Sequence, residues 1–249
     1  MTLTLGIDVG ATGIKGGLVN LKTGEMVSER IKFPTPESRK PKEMAKTINK
    51  IVEAFNHQGK TIGVGFPAVI RNQKTLTASN IDKAWINYPI HDSLERITGC
   101  PLYVINDADA AGLAEIEYGV GRNEPGTVIL LTLGTGIGSA IFKDGQLLKN
   151  TELGHLKYKN DIAEYYVSNT ARKREGMSWD VYGKALNSYL AHIDHIFSPK
   201  LVILGGGISK KFHEFEEMLD KSFRVKPALK FNNAGIIGAA LSWKLYGKK

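Results

Sequence analysis

Residues 6–17 read GIDVGATGIKGG, and the fold turns on how this stretch is read. Five of its twelve residues are glycine. Apolar runs on either side, at residues 3–9 and 14–20, predict two strands joined by a tight turn. Such a turn can aim several backbone N–H groups at one anion, and glycine lets the backbone approach it closely. The stretch is neither GxxxxGK[ST] nor a GxGxxG that opens a helix. Thr12 adds a hydroxyl donor and Lys15 a point charge.

The pattern returns in mid-chain. Residues 131–145, LTLGTGIGSAIFKDG, repeat the order of residues 9–24: apolar strand, Thr-Gly-Ile turn, strand, Lys-x-Gly. A repeated supersecondary unit implies two similar α/β halves; the alternative is two independent hairpins. A third Gly-rich turn, LGGGIS at residues 204–209, follows a buried strand and leads into a predicted helix, whose N-terminus favours anions. The candidate phosphate contacts are Gly10, Thr12, Gly13 and Lys15, then Thr132, Gly134, Thr135 and Gly136, then Gly205, Gly206 and Gly207.

Outward from these turns, the spacing predicts a third strand at 25–33, a helix at 42–56 and a strand at 61–66. A hairpin or loop at 68–78, a helix at 90–97, a strand at 102–105 and a helix at 107–118 follow. The second half reads as strands at 127–133, 139–143 and 201–204, with helices at 160–172, 178–197, 209–222 and 234–246. Alternating strands and helices give an α/β class.

Three further stretches carry chemistry. Asp8 ends the first strand beside the turn. A carboxylate there is unfavourable to phosphate unless a cation intervenes, which points to Mg²⁺ held through water; the alternative is an Asp capping its own turn. Residues 105–115, INDADAAGLAE, put Asn106 and Asp107 where a strand meets a helix, the usual ligand position in α/β sheets. Asp107 could orient a hydroxyl and take its proton, or simply cap the helix. Asp109 reads as a first-turn acid complementing the helix dipole. Residues 151–157, TELGHLK, place Glu152 and His155 together, either to bind adjacent sugar hydroxyls or as a structural pair. His192 and His195 lie on a helical pattern without further ligands and read as structural or surface residues.

Composition bounds the rest. The 249 residues suffice for one large domain or two modest ones sharing a cleft. An apolar fraction of 42% and a charged fraction of 23% are those of a soluble globular chain. Cys100 is the one cysteine, so no intrachain disulfide forms, and a reducing cytoplasm is expected. No apolar run approaches the roughly 18 residues of a membrane span, and the N-terminus lacks the marks of a signal peptide. The net charge of +8 favours an anionic partner or reflects surplus lysine alone.

Together these residues resemble the ROK family of repressors and sugar kinases, within the hexokinase and actin-like ATPase superfamily. GIDVGATGIKGGLV, LTLGTGIGSA and LVILGGGIS are similar to its phosphate and nucleotide motifs. NDADAAGLAE is similar to its catalytic stretch and ELGH to its sugar-contacting stretch. The resemblance runs the length of the chain, in the family's order. It implies a two-lobed ribonuclease H-like, actin-like fold with a central cleft. The small lobe would span 1–105, completed by a C-terminal helix at 234–249, and the large lobe 106–233. Asp107 would be the catalytic base. Asn80, Asn106, Asp107, Glu152, His155 and Glu164 would contact glucose, and a homodimer is implied.

One departure refines this. Most ROK kinases carry a CxCGxxGCxE zinc segment after the Gly-His; here LKYKNDIAEYY stands instead. No structural zinc is therefore expected. The sequence resembles the polyphosphate-using glucokinase branch, which implies glucose and inorganic polyphosphate, ATP or both as substrates. Lys83, Lys157, Lys159, Arg172, Lys173 and Arg174 are candidates for a basic polyphosphate track or are solvated surface charges. The alternatives are a strictly ATP-dependent hexose kinase and a sugar-responsive repressor. The latter needs a DNA-binding module, for which the motif's start within ten residues of Met1 leaves no room. No basic helix or aromatic platform supports nucleic acid binding, and no membrane association is expected.

Overall fold

The computed structural model describes residues 3–79, 81–230 and 233–247. The chain divides into two compact units, Met1–Ala114 with Asn233–Lys249, and Glu115–Asn232.

The first unit holds β1 (Leu3–Val9), β2 (Gly13–Asn20), β3 (Glu25–Met26), β4 (Ile31–Pro34), α1 (Pro41–Ala54), β5 (Ile62–Phe66), the short hairpin β6 (Ile70–Arg71) and β7 (Lys74–Thr75), α2 (Ile90–Thr98) and β8 (Leu102–Asn106). It also takes the start of α3 (Asp107–Tyr118). Its sheet runs β3-β2-β1-β5-β8, with β4 pairing β2 beside β3. The β1–β2 pair is antiparallel, and β1–β5 and β5–β8 are parallel.

The second unit repeats this plan. It holds β9 (Thr127–Leu133), β10 (Ile137–Lys143), β11 (Gln146–Leu148), β12 (Lys157–Tyr158), β13 (Asp161–Ile162), α4 (Glu164–Val167), α5 (Asn169–Arg174), α6 (Trp179–Phe197), β14 (Leu201–Gly205) and β15 (Val225–Pro227). Its main sheet runs β11-β10-β9-β14-β15, again with an antiparallel hairpin followed by two parallel pairings. The duplication read from the two Gly-rich hairpins is thus a duplication of whole sheets. Helix α7 (Ala234–Tyr246) returns the chain to the first unit.

Side chains alternate across a strand, and β1 uses both faces. Leu5, Ile7 and Val9 are fully buried in one cluster with Met44, Ile48, Ile51 and Val52 of α1. The other face of β1 carries Gly6, which meets α7. A Cβ on Gly6 would overlap the Ile236 carbonyl, one on Gly63 of β5 the Ala239 carbonyl, and one on Gly238 of α7 the Ala110 carbonyl of α3. Helix α7 therefore lies backbone to backbone against strands and helix alike. It buries Ala234, Ile236, Ile237, Gly238, Ala239, Ala240, Leu241 and Ser242, as a helix apolar on all sides must. This packing of α3 on α7 carries the first unit past residue 105 to Ala114. In the second unit, Ile129, Leu131 and Leu133 of β9 pack with Tyr182, Leu186, Tyr189 and Ile193 of α6.

Three elements differ from the expectation. The strand at 25–33 is broken, because Ser28 Oγ accepts the Leu18 N–H at 2.9 Å in place of a strand carbonyl. The two pieces pair β2 in registers two residues apart. The helix at 160–172 is a β-hairpin strand and two short helices. Lys159 turns the hairpin with φ 54°, and Ser168 is extended, its Oγ capping α5 by accepting the Ala171 N–H at 3.0 Å. The helix at 209–222 is a 3₁₀ segment, Gly207–Glu214, kinked at Lys211, and a second single turn, Glu216–Met218.

Gly63→Ala tests the close seating of α7. Its added Cβ has only backbone to displace, so it should cost about 3 kcal/mol, the upper end for overpacking. The expected fall in Tm by scanning calorimetry is about 6–12 °C. Gly59→Ala cannot serve as the control because Gly59 has φ 73°; Ala54→Gly on the exposed end of α1 can, at about 1 kcal/mol.

Candidate active site

In the first unit, the hairpin turn closes where the Gly10 N–H donates to the Gly13 carbonyl at 3.1 Å. Thr12 stands exposed at its tip. In the second unit the turn is one residue shorter, closed by the Gly134 N–H on the Gly136 carbonyl at 3.0 Å, with Thr135 exposed at the tip. None of these four glycines has a positive φ. A left-handed backbone is therefore not what places glycine there.

What a Cβ would meet at each separates them. A Cβ on Gly13 would collide with Lys32, and one on Gly136 with the Glu164 carboxylate. A Cβ on Gly134 or Gly207 would meet nothing within 4 Å among the described residues. Those two glycines border open space beside the turns, where a ligand's oxygens could approach the backbone.

The second and third turns are neighbours. Gly205 pairs Thr132 across the parallel β14–β9 ladder, so both turns leave the carboxyl ends of adjacent strands. Gly206 takes φ 76°, and its carbonyl accepts the Ser209 hydroxyl at 2.7 Å. The second unit thus brings Thr132, Gly134, Thr135, Gly136 and Gly205–Gly207 together at one end of its sheet. No regular helix follows the third turn, so the anion-favouring helix N-terminus expected there is replaced by the kinked 3₁₀ segment.

Asp8, Lys15 and α7 meet in the first unit. Asp8 and Lys15 are directly opposed on β1 and β2, and Lys15 Nζ lies 3.3 Å from Asp8 Oδ2. A Cβ on Gly235 would stand 2.8 Å from Asp8 Cγ, so this carboxylate also sits against the first turn of α7. Asp8 does not cap its own turn through any of the hydrogen bonds it shows here. It is a single carboxylate, 17% exposed, beside a Gly-rich turn. That donor set suits a Mg²⁺ ion that keeps most of its waters. Among the described residues no group of three or more His, Cys, Asp or Glu is placed to hold a metal.

The structure resolves which residue caps α3. Asn106 Oδ1 accepts the N–H groups of Ala108 at 2.9 Å and Asp109 at 3.1 Å, while its Nδ2 donates to the Ala68 carbonyl at 3.2 Å. Asn106 is buried, and its Oδ1 and one Nδ2 hydrogen are engaged in this bridge. Asp107, at the head of the helix, is half-buried and accepts the Ala108 N–H at 2.9 Å. The helix therefore does not depend on Asp107 as its N-cap. Asp109 lies in the first turn, as expected, but is buried.

The sugar candidates of the second unit form a chain. His155 Nδ1 stands 3.8 Å from Glu152 Oε2, and His155 Nε2 stands 3.9 Å from Glu164 Oε1. Burial pushes the Glu152 carboxyl up; nearby Glu164 pushes the same way and His155 opposes both. Glu164 Oε2 accepts the Ile137 N–H at 3.2 Å, just past the second turn. Thr170 closes the other side, its N–H donating to the Gly134 carbonyl at 3.2 Å. The stretch at 160–172 is thereby fastened to the turn, a link that sequence spacing does not show. Asn80 lies outside the described residues.

Half of the candidate track residues are occupied. Lys159 lies over the rings of Tyr158 and Tyr166, and Arg172 stacks 4.0 Å over Trp179. Arg174 donates to the Tyr165 carbonyl and to Glu175, each at 2.7 Å. Lys157 and Lys173 are exposed, and Lys83 heads a short 3₁₀ turn. The residue that sequence reading passed over is Lys32, whose stem covers Gly13.

Residues 4–172 match the ROK family. The chain is 42% identical over 238 residues to the polyphosphate glucokinase of Mycobacterium tuberculosis, covering 95% of this chain and 89% of that protein. The crystal structure of an inorganic polyphosphate/ATP-glucomannokinase from Arthrobacter sp. strain KM superposes with a TM-score of 0.95 at 44% identity, covering 98% of this chain and 99% of that one. A ROK family glucokinase from Streptomyces griseus, solved with glucose and AMPPNP, shares the fold at a TM-score of 0.83 and 24% identity, covering 96% and 98%. The architecture is the actin-like ATPase fold of the ROK sugar kinases. The twinned sheets, their Gly-rich turns and likeness along nearly the whole chain place this protein in the ROK family.

Proposed function

We propose that the chain transfers the terminal phosphoryl group of inorganic polyphosphate to the 6-hydroxyl of glucose. The observation that carries this reading is the likeness to the mycobacterial polyphosphate glucokinase along almost the whole chain. The Arthrobacter neighbour, described as using polyphosphate or ATP, favours ATP as a second donor and mannose as a second acceptor.

Phosphoryl transfer leaves little covalent work to the protein, so positioning and charge dominate. The glucose O6 forms the new bond to phosphorus as the bridging oxygen of the donor departs. Asp107 orients the hydroxyl and takes its proton, while Asn106 holds the helix end. Such a base contributes roughly 10²–10⁴ in rate. Glu152, His155 and Glu164 accept from and donate to sugar hydroxyls, with Asn80 and Asn106 assigned to glucose by resemblance. The amides and hydroxyls at Thr12 and Thr135, the backbone at Gly134 and Gly207, and Lys15 hold the donor phosphates. Asp8 would hold Mg²⁺ through water, and the ion would neutralise phosphate charge. The single buried cysteine accords with a reducing cytoplasm, no described helix is long and apolar enough to cross a membrane, and we place the enzyme there as a homodimer.

The direct test is glucose 6-phosphate formation from polyphosphate freed of ATP. Asp107→Asn should lower kcat by roughly 10²–10⁴ with the glucose KM little changed; near-normal turnover would remove Asp107 from the chemistry. Gly134→Ala should leave Tm in place, since its Cβ enters open space, yet raise the donor KM roughly tenfold by displacing bound phosphate. An unchanged donor KM would take that turn out of the donor site.

Glu152 gives a pH signature. Its raised carboxyl binds a proton more tightly folded than unfolded. Its stabilising contribution is therefore complete below the unfolded value, about 4.3, and is lost as pH rises through the folded value. The acid limb of kcat/KM for glucose should lie above the ordinary Glu value. Glu152→Gln should abolish that limb and weaken glucose binding roughly tenfold, while Tm at neutral pH does not fall.

A further inference from the structure

The row of side chains crossing the first sheet beside its Gly-rich turn carries one more cation than the phosphate contacts above require. Asp8, Lys15 and Lys32 stand directly opposite one another on β1, β2 and β4, and directly paired residues share a face. The one acid of the row is already paired with Lys15, at 3.3 Å. Lys32 makes no ion pair among the described residues. Like charges directly opposed on a sheet are destabilising, so this lysine is a cost to the empty fold.

Its position is defined. A Cβ placed on Gly13 would collide with Lys32 Cε and stand 3.3 Å from its Cδ and Cγ, so the stem lies across the end of the turn and Nζ is one bond beyond. The strand that carries it is held there, since Thr35 Oγ1, just past β4, donates to the Gly10 carbonyl at 2.6 Å. Among the described residues strand β4 pairs only with β2, and Lys32 is exposed. The surrounding unit is the basic one. It holds 17 of the Lys and Arg residues against 11 Asp and Glu, +6 of the net +8.

We propose that Lys32 is a second cation of the donor site and holds the phosphates of an inorganic polyphosphate chain that follow the transferred one. The order across the sheet is Asp8, Lys15, Lys32. A chain whose reacting end lies by Asp8 and Lys15 meets Lys32 next. A nucleoside triphosphate runs out of charge after three phosphates. Polyphosphate continues at one charge per phosphate, and each further cation neutralises more of it and releases counterions. This assignment rests on the polyphosphate reading given above.

The test compares Lys32→Gln and Lys32→Arg with the unaltered protein, using ATP-free polyphosphate and, separately, ATP, at saturating glucose. Lys32→Gln should raise the polyphosphate KM about tenfold, the loss of one charge-assisted contact, with kcat within about twofold. The slope of log KM against log salt should fall by roughly 0.7, the value per neutralised phosphate of a single strand. Lys32→Arg should restore both, and the ATP KM should move by much less. An unchanged polyphosphate KM and salt slope overturns the proposal. So does an equal rise in both donors' KM, which would put Lys32 on phosphates they share. An unaltered protein that makes no glucose 6-phosphate from polyphosphate overturns the donor reading itself, and the role of Lys32 with it.

Discussion

Helix α7 approaches the first sheet so closely that backbone carbonyls occupy the space where side chains would be. Ile236 and Ala239 present their oxygens to Gly6 and Gly63, and Ala110 presents its own to Gly238. No residue but glycine fits at those three positions. The consequence reaches the chemistry. With α7 seated this deep, its first turn abuts Asp8 through Gly235. The carboxylate is then held between a helix N-terminus and Lys15, both of which stabilise its charge. The pair is only partly exposed, and even an exposed ion pair is worth about 0–1 kcal/mol. That is small beside the attraction a metal-bound phosphate would exert, so the pair does not lock the site shut.

The opening motif therefore does two jobs with one residue type. Gly6, Gly16 and Gly17 are packing glycines: a Cβ on them would strike Ile236, Ile51 and Met26. Gly10 and Gly13 close the turn. Of the polar groups there, Thr12 is exposed at the tip and Lys15 and Lys32 flank the turn. In the second unit the balance is different. A Cβ on Gly134 or Gly207 would meet nothing within 4 Å among the described residues, and there the glycine leaves open space beside the backbone.

Much of this was legible in the sequence because hairpins with Gly-rich turns between apolar runs are local objects. The two sheets follow from them, since each hairpin is the start of the same strand order. The Asn106–Asp107 pair was also visible, but its division of labour was not. Both residue types cap helices, and only the bonds from Ala108 and Asp109 to Asn106 decide between them. Lys32 escaped notice because its meaning lies in register: fifteen and thirty-two are neighbours only once β4 has paired with β2. The two-residue slip at Ser28 sets that register, and no propensity announces it. Strand β15 was missed for a similar reason. Val225–Pro227 is three residues long and is defined by the partner it finds in β14.

The stretch after His155 is ordered by its own apolar and aromatic packing. Ala163, Val167 and Ala171 are buried on its inner side. Tyr158 packs edge-on against Tyr166 and Tyr189, with centroids 5.8 and 5.7 Å away. Each such pair contributes about 0.5–1.5 kcal/mol beyond its buried area. The Tyr182 hydroxyl donates to the Val167 carbonyl at 2.9 Å and that of Tyr189 to the Leu153 carbonyl at 3.0 Å. These contacts fix both ends of the sugar-side loop: Leu153 precedes His155, and Val167 follows Glu164. Held at both ends, Glu164 can divide its carboxylate between the Ile137 amide and the side of His155. The same side chain thus links the second Gly-rich turn to His155. The aromatic packing beneath holds this link in place.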